Sequence, residues 1–100
     1  MVRGIDFVRQ VTLRTPEGTP VTQFDGAEWV LSFYTPGQTL IYETVPSDWS
    51  VVSTSARLLT IGSAVTEQFP ANNFTYNLDV VGSQTWRLIA GGRGVAQDGT

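Results

Sequence analysis

Apolar and polar side chains alternate without interruption from residue 74 to residue 80. The apolar members of this series are Phe74, Tyr76, Leu78 and Val80. Because successive side chains of an extended strand point to opposite faces, the series predicts a strand with one face in the core. No segment sustains the 3.6-residue period of an amphipathic helix. The chain is therefore predicted to be all-β.

Further strand-like segments recur about every 8 to 12 residues, with proline- and glycine-containing turns between them. This spacing is typical of a β-sandwich. We expect an antiparallel, Ig-like β-sandwich of about seven strands. The predicted strands cover residues 5–14, 27–35, 38–45, 50–54, 57–62, 74–81 and 85–91.

One hundred residues suffice for a single core, and we expect one sandwich domain over residues 1–90. Residues 91–100 contain four glycines and are predicted to be a flexible C-terminal tail. The predicted core consists of Phe7, Val11, Leu13, Trp29, Leu31, Phe33, Leu59, Ile61, Phe74, Tyr76, Leu78 and Leu88.

The chain contains no cysteine, histidine or lysine. These absences exclude thiol, imidazole and amine catalysis and zinc sites of the Cys/His type. The nearest carboxylate pairs in sequence are Asp25 with Glu28 and Glu43 with Asp48, and we interpret them as solvated surface groups, since a small sandwich offers little room for a catalytic cleft. We expect no enzymatic activity, no cofactor and no metal, because the ligand spacing of a calcium loop is also missing.

Six basic and nine acidic residues give a net charge of −3. Nucleic acid is not an expected partner, because binding it requires a basic patch. No membrane association is expected either, since no apolar run reaches the roughly 18 residues of a membrane span.

Aromatic side chains are the remaining candidates for ligand binding. Tyr42, Trp49 or Trp86 would stack on a host-surface glycan if exposed on one face. The alternative is that they pack under loops or close the ends of the sandwich.

Arg57 is the only charged residue between Trp49 and Thr66. Exposed strand edges recruit other chains unless charges protect them, so this stretch is either central in a sheet or covered by a partner. For the tail, Val95 is the one large apolar anchor. We expect Val95 and the backbone around Arg93 to lie against a neighbouring subunit by strand addition.

The order of several short motifs resembles the small β-sandwich domain of structural proteins in tailed bacteriophages, particularly those of actinobacterial hosts, and more loosely the N-terminal sandwich of upper baseplate proteins. The resemblance spans nearly the whole chain. Its motifs are Arg3-Gly4-x-Asp6-Phe7, Ser32-Phe33-Tyr34, Phe69-Pro70-Ala71, Phe74-Thr75-Tyr76 and the closing strand from Trp86 to Gly91.

The resemblance implies a non-enzymatic virion component that assembles with copies of itself and with other virion proteins. A minor tail, baseplate or fibre-associated protein is the expected assignment. A capsid decoration protein, a head-tail connector and a carbohydrate- or receptor-binding sandwich remain as alternatives.

Overall fold

A computed structural model of the chain describes residues 1–98. It contains seven strands, one short helix and a turn of 3-10 helix at Pro46–Asp48. The strands are β1 (Phe7–Thr12), β2 (Glu28–Tyr34), β3 (Leu40–Glu43), β4 (Trp49–Ser53), β5 (Ala56–Ile61), β6 (Asn72–Val81) and β7 (Thr85–Ala96), and the helix is α1 (Ser63–Thr66).

The strands form two antiparallel sheets, which confirms the predicted fold class. One sheet has the order β1-β5-β4 and the other the order β3-β2-β6-β7. Strand β6 is central and pairs with β2 through Leu31 opposite Leu78. The alternating series on β6 therefore supplies the middle of the larger sheet, and Leu78 is buried as predicted.

Aromatic rings fill the space between the two sheets. The rings of Phe33, Phe69 and Phe74 meet edge to face, with centroids 5.2 to 5.6 Å apart. This geometry is favourable for aromatic pairs. Phe69 is fully buried, although it lies in a polar segment after α1 and was not among the predicted core residues.

The prediction that Leu88 belongs to the core is wrong, because 37% of its surface is exposed. The pairing of β6 with β7 shifts register on both sides of Leu78, so that Ile89 lies opposite Leu78 and Arg87 opposite Asp79. Leu88 is thus the additional residue of a β-bulge. Simple two-residue alternation fails at such a position.

The predicted tail is also wrong as far as residue 98. Strand β7 continues to Ala96, and its last part pairs with β6 of the same chain. Gly92 lies opposite Tyr76, and Gly94 lies opposite Phe74. A Cβ atom at either glycine would come within 2.4 Å of the facing ring, so these glycines make room for the rings over the β7 backbone. Residues 99–100 of the predicted tail lie outside the described residues.

The N-terminal segment closes one end of the sandwich. Arg3 donates hydrogen bonds to the carbonyl oxygens of Glu67 and Phe69 and forms an ion pair with Asp98. A carboxylate oxygen of Asp6 accepts the backbone N–H of Ser63 at the start of α1, at 2.7 Å. The opening motif therefore ties the two ends of the chain to the helix.

None of the helices formed by residues 1–98 is long and apolar enough to span a membrane.

Candidate functional site

The three aromatic residues expected to bind a ligand do not lie on one face. Tyr42 is on β3 and Trp86 on β7, which are the opposite edges of the four-stranded sheet, and Trp49 belongs to the other sheet. Trp86 is 51% exposed, whereas Tyr42 and Trp49 are both half-buried. The three residues therefore do not share one binding surface, and glycan binding by any one of them stays a prediction.

The phenol of Tyr42 is held by the loop before β4. Its hydroxyl donates to Asp48 Oδ2, and the same oxygen accepts the backbone N–H of Val45 at 3.0 Å. Burial, reinforced by the hydrogen bond to the carboxylate and by its charge, raises the pKa of Tyr42 to about 12. The pair fixes the loop and keeps the phenol protonated.

The indole of Trp49 closes the end of the core. Its ring meets Trp29 edge to face at 5.8 Å, and its N–H donates to Thr44 Oγ1 at 3.0 Å. The buried guanidinium of Arg57 lies 4.5 Å from the centroid of the Trp29 ring, on which it stacks. Burial lowers the pKa of Arg57, and the nearby carboxylate of Asp25 opposes that effect. The contacts among Trp29, Trp49 and Arg57 therefore stabilise the packing at this end of the core.

The outer face of the three-stranded sheet has no charged side chain. Along β5, Leu59 and Ile61 face the core, while Leu58 and Thr60 face outward. Their partners on β1 and β4 extend this outer layer in three rows across the sheet. We call this surface the uncharged face; it consists of Val8, Gln10, Thr12, Ser50, Ser53, Leu58 and Thr60.

The uncharged face continues to an unprotected sheet edge. Of the four edge strands formed by residues 1–98, β4 is the one without a charged residue. Val51 and Val52 on this edge are 69% and 52% exposed, and Val8 on β1 is 55% exposed. Edge strands of monomeric proteins normally carry charges that prevent pairing with other chains. A bulge near Val52 is the one protective feature here.

The outer face of the four-stranded sheet differs in charge. Asp79 and Arg87 form an ion pair across β6 and β7, with the two side chains joined by hydrogen bonds of 2.9 and 3.2 Å. This pair raises the pKa of Arg87. Arg93 and Glu43 are exposed on the strands that bound the same sheet. This face is suited to remain in water.

A groove of about 550 Å³ runs between β1 and β7, the edge strands of the two different sheets. Arg9 lines it beside Phe7, with the guanidinium carbon 5.7 Å from the ring centroid. Among residues 1–98, Arg9 and Arg93 form no ion pair. The apolar lining includes Val11, Phe33, Phe74, Tyr76 and Ile89.

The predicted assembly residues Arg93 and Val95 lie on the edge strand β7. Arg93 is exposed and Val95 is 46% exposed. Their backbone is paired on one side with Thr75 and Asn73 of the same chain. The expected free tail that would reach a neighbour is wrong over residues 91–98, whereas a contact of Val95 and the backbone around Arg93 with a neighbouring subunit stays a prediction.

Carboxylates take structural roles or are dispersed. Asp48 holds the Tyr42 loop, and Glu43 accepts a long hydrogen bond from Ser32 at 3.5 Å. Over residues 1–98, no three carboxylate, histidine or cysteine side chains cluster as a metal site would require.

The sequence indicated the low-charge stretch from Trp49 to Thr66 but not its division between an edge strand and a central strand. Strand β5 is central, as one of the two expected alternatives required, whereas β4 is an edge strand whose covering by a partner stays a prediction. Val8 was missed because it belongs to a distant strand that joins this surface only through its pairing opposite Thr60.

A search of protein-family models and a search of curated proteins each found no match to this chain.

Proposed function

We propose that this protein is a non-enzymatic structural protein of a tailed-bacteriophage virion that acts by multi-copy assembly. The observation that carries the proposal is the uncharged face together with the adjoining edge of β4. A surface of this kind is suited to contact another protein, because neither partner has to bury an unpaired charge.

Two features make the β4 edge suited to assembly. Its backbone can pair with an added strand, which gains main-chain hydrogen bonds whatever the side chains are. Val51 and Val52 are exposed beside it and would gain from burial. Copies of the same chain present the same surface, so they can associate symmetrically.

The groove between β1 and β7 supports contacts with other virion proteins. An apolar floor between two strand edges can accept an extended segment of a neighbouring chain. The unpaired Arg9 at this groove favours a segment that carries an acidic residue.

A non-enzymatic role is supported by the residue types present. The chain offers no cysteine, histidine or lysine, and Asp48, the carboxylate with a phenol partner, is engaged in a loop contact. Within the virion we propose a minor tail, baseplate or fibre-associated position, with a capsid decoration protein or head-tail connector as the alternative.

Mass spectrometry of purified phage particles tests the proposal. Particles released by the strain that carries this gene should contain the protein in many copies relative to a single-copy component. Labelling the particles with a specific antibody should then place it at the tail or at the head. Absence from intact particles, despite expression during infection, would contradict the proposal.

A further inference from the structure

Trp86 presents its ring at the edge of the four-stranded sheet. Phe24 supports one side of the indole, with ring centroids 6.5 Å apart and planes inclined by 53°. Half of the residue remains exposed. The indole N–H groups of Trp29 and Trp49 donate to Phe24 O and Thr44 Oγ1, whereas that of Trp86 has no acceptor among residues 1–98. Trp86 is thus a supported ring with a free donor.

Polar side chains surround this ring in a depression of about 440 Å³. We call it the Trp86 depression; its polar lining residues are Gln23, Asp25, Ser83 and Gln84. None of these four side chains forms a hydrogen bond with another group of residues 1–98. No arginine lines the depression, so it offers no positive charge to a phosphate or carboxylate ligand.

The backbone on both sides of the depression is fixed. In the turn between β6 and β7, the N–H of Gly82 donates to the carbonyl of Gln84 at 2.9 Å. In the facing loop, Ala27 donates to Phe24 at 3.2 Å and Asp25 donates to Thr22 at 3.1 Å. The backbone segments that carry the polar side chains are therefore held around the ring before any ligand binds, which lowers the entropic cost of binding.

We propose that the Trp86 depression binds an uncharged sugar. The C–H face of a pyranose ring would stack on the indole, its hydroxyls would donate to Asp25, and the amides of Gln23 and Gln84 would both donate and accept. A purely apolar ligand would leave these polar groups without partners, which is costly on burial. The volume is near the lower end of the roughly 300 to 1,000 Å³ of ligand pockets, which suits one or two sugar rings.

The site is separate from the surface proposed for assembly. None of its lining residues belongs to the uncharged face, which lies on the other sheet. Sugar binding can therefore be measured independently of particle assembly.

Nuclear magnetic resonance on ¹⁵N-labelled protein provides the test, because the three indole N–H signals report on three different environments. Maltohexaose, cellohexaose and chitohexaose would be the probes. At least one should shift the Trp86 indole signal and the Gln84 amide saturably, with a dissociation constant in the millimolar range or tighter. The indole signals of Trp29 and Trp49 should not move.

Substitutions separate binding from folding. Trp86→Ala should weaken binding by about tenfold or more, and Trp86→Phe by less, because a phenyl ring retains part of the stacking. Gln84→Ala should weaken binding with an unchanged melting temperature, since its side chain makes no intramolecular hydrogen bond within residues 1–98. Gln38→Ala, at an exposed turn away from the depression, is the matched control and should bind as the wild type does.

Three results would overturn the proposal. One is the absence of any saturable shift with all three oligosaccharides. Another is binding that Trp86→Ala and Gln84→Ala both leave unchanged. The third is a Trp86 signal that moves with protein concentration and not with sugar, which would assign this surface to protein contact.

Discussion

Individual glycines decide how the last strand packs. Gly92 and Gly94 are needed because the rings of Tyr76 and Phe74 occupy the volume of their missing side chains. Gly91 has a different reason: its φ of +69° lies in the left-handed region, and its N–H donates to Asn77 Oδ1 at 2.8 Å. The glycine-rich composition of this segment resembles a flexible linker, but each of these three glycines is required by its position in the strand.

Replacement of one of these glycines should therefore cost stability. Gly94→Ala places a Cβ 2.4 Å from the Phe74 ring, and we expect a loss of about 1 to 3 kcal/mol in the free energy of unfolding. Urea denaturation would measure it. Gly37→Ala is the control, because a Cβ at this position would have its nearest neighbour, Thr35 Oγ1, at 3.8 Å. Its free energy of unfolding should stay within about 0.5 kcal/mol of wild type. Equal effects of the two substitutions would contradict this packing account.

Tyr42 should make stability sensitive to alkaline pH. Its folded pKa of about 12 exceeds the ordinary value of 10.0, so the unfolded chain releases the phenolic proton first. The stabilisation is complete below about pH 10 and is lost as pH rises toward 12. Urea midpoints measured from pH 8 to pH 11 should fall less steeply for Tyr42→Phe than for wild type. The control is Tyr34→Phe, which leaves the hydrogen bond between Tyr42 and Asp48 intact and should retain the wild-type slope. Identical slopes for Tyr42→Phe and wild type would refute the assignment.

At the scale of elements, the N-terminal segment and α1 depend on each other. Thr66 Oγ1 accepts the N–H of Gly4 at 3.0 Å and donates to the carbonyl of Ile5 at 2.9 Å, beside the contacts that Arg3 and Asp6 make. A helix of four residues has little stability of its own. These side-chain contacts are what hold it against the sandwich.

Removal of Arg3 should loosen that end of the molecule. Arg3→Ala deletes two hydrogen bonds to carbonyls and one ion pair, and we expect a loss of about 1 to 3 kcal/mol. Hydrogen exchange should accelerate over residues 63–69 more than in β6. Arg14→Ala removes one exposed hydrogen bond, to Gly18, and should cost about 0.5 kcal/mol or less. Uniform acceleration across the whole chain after Arg3→Ala would contradict a local role.

Strands were predictable where one face is continuously buried. The series on β6 has that property, and its buried face follows directly from the alternation. Strand β7 was predicted only to residue 91, because its glycines are explained by the rings of Phe74 and Tyr76 that they face, and these rings lie on another strand. The bulge at Leu88 and the burial of Phe69 depend equally on tertiary pairing. The local sequence around a residue does not indicate which residues of other strands will pack against it.

The candidate surfaces show the same division. The low charge of the stretch from Trp49 to Thr66, where Arg57 is the only charged residue, was visible in the sequence, but only the pairing of β1 with β5 adds Val8 to that surface. The exposure of Trp86 follows from its place on an edge strand, which no local pattern distinguishes from the buried position of Trp29.

At the scale of the whole molecule, charge is distributed unequally between the two outer faces. The four-stranded sheet carries the Asp79–Arg87 pair and the exposed Arg93, whereas the uncharged face carries none. A molecule with this asymmetry has one face suited to water and one suited to protein contact. The proposed assembly function depends on this difference.

Sedimentation velocity over a range of protein concentrations tests this claim most directly. The wild-type protein should self-associate as concentration rises, and Val8→Glu, which places a charge on the uncharged face, should remain monomeric. Leu40→Glu is the matched control, because Leu40 is similarly exposed, 51% against 55% for Val8, but lies on the other sheet; it should associate as the wild type does. A wild-type protein that stays monomeric throughout, or a Val8→Glu variant that associates normally, would contradict the account.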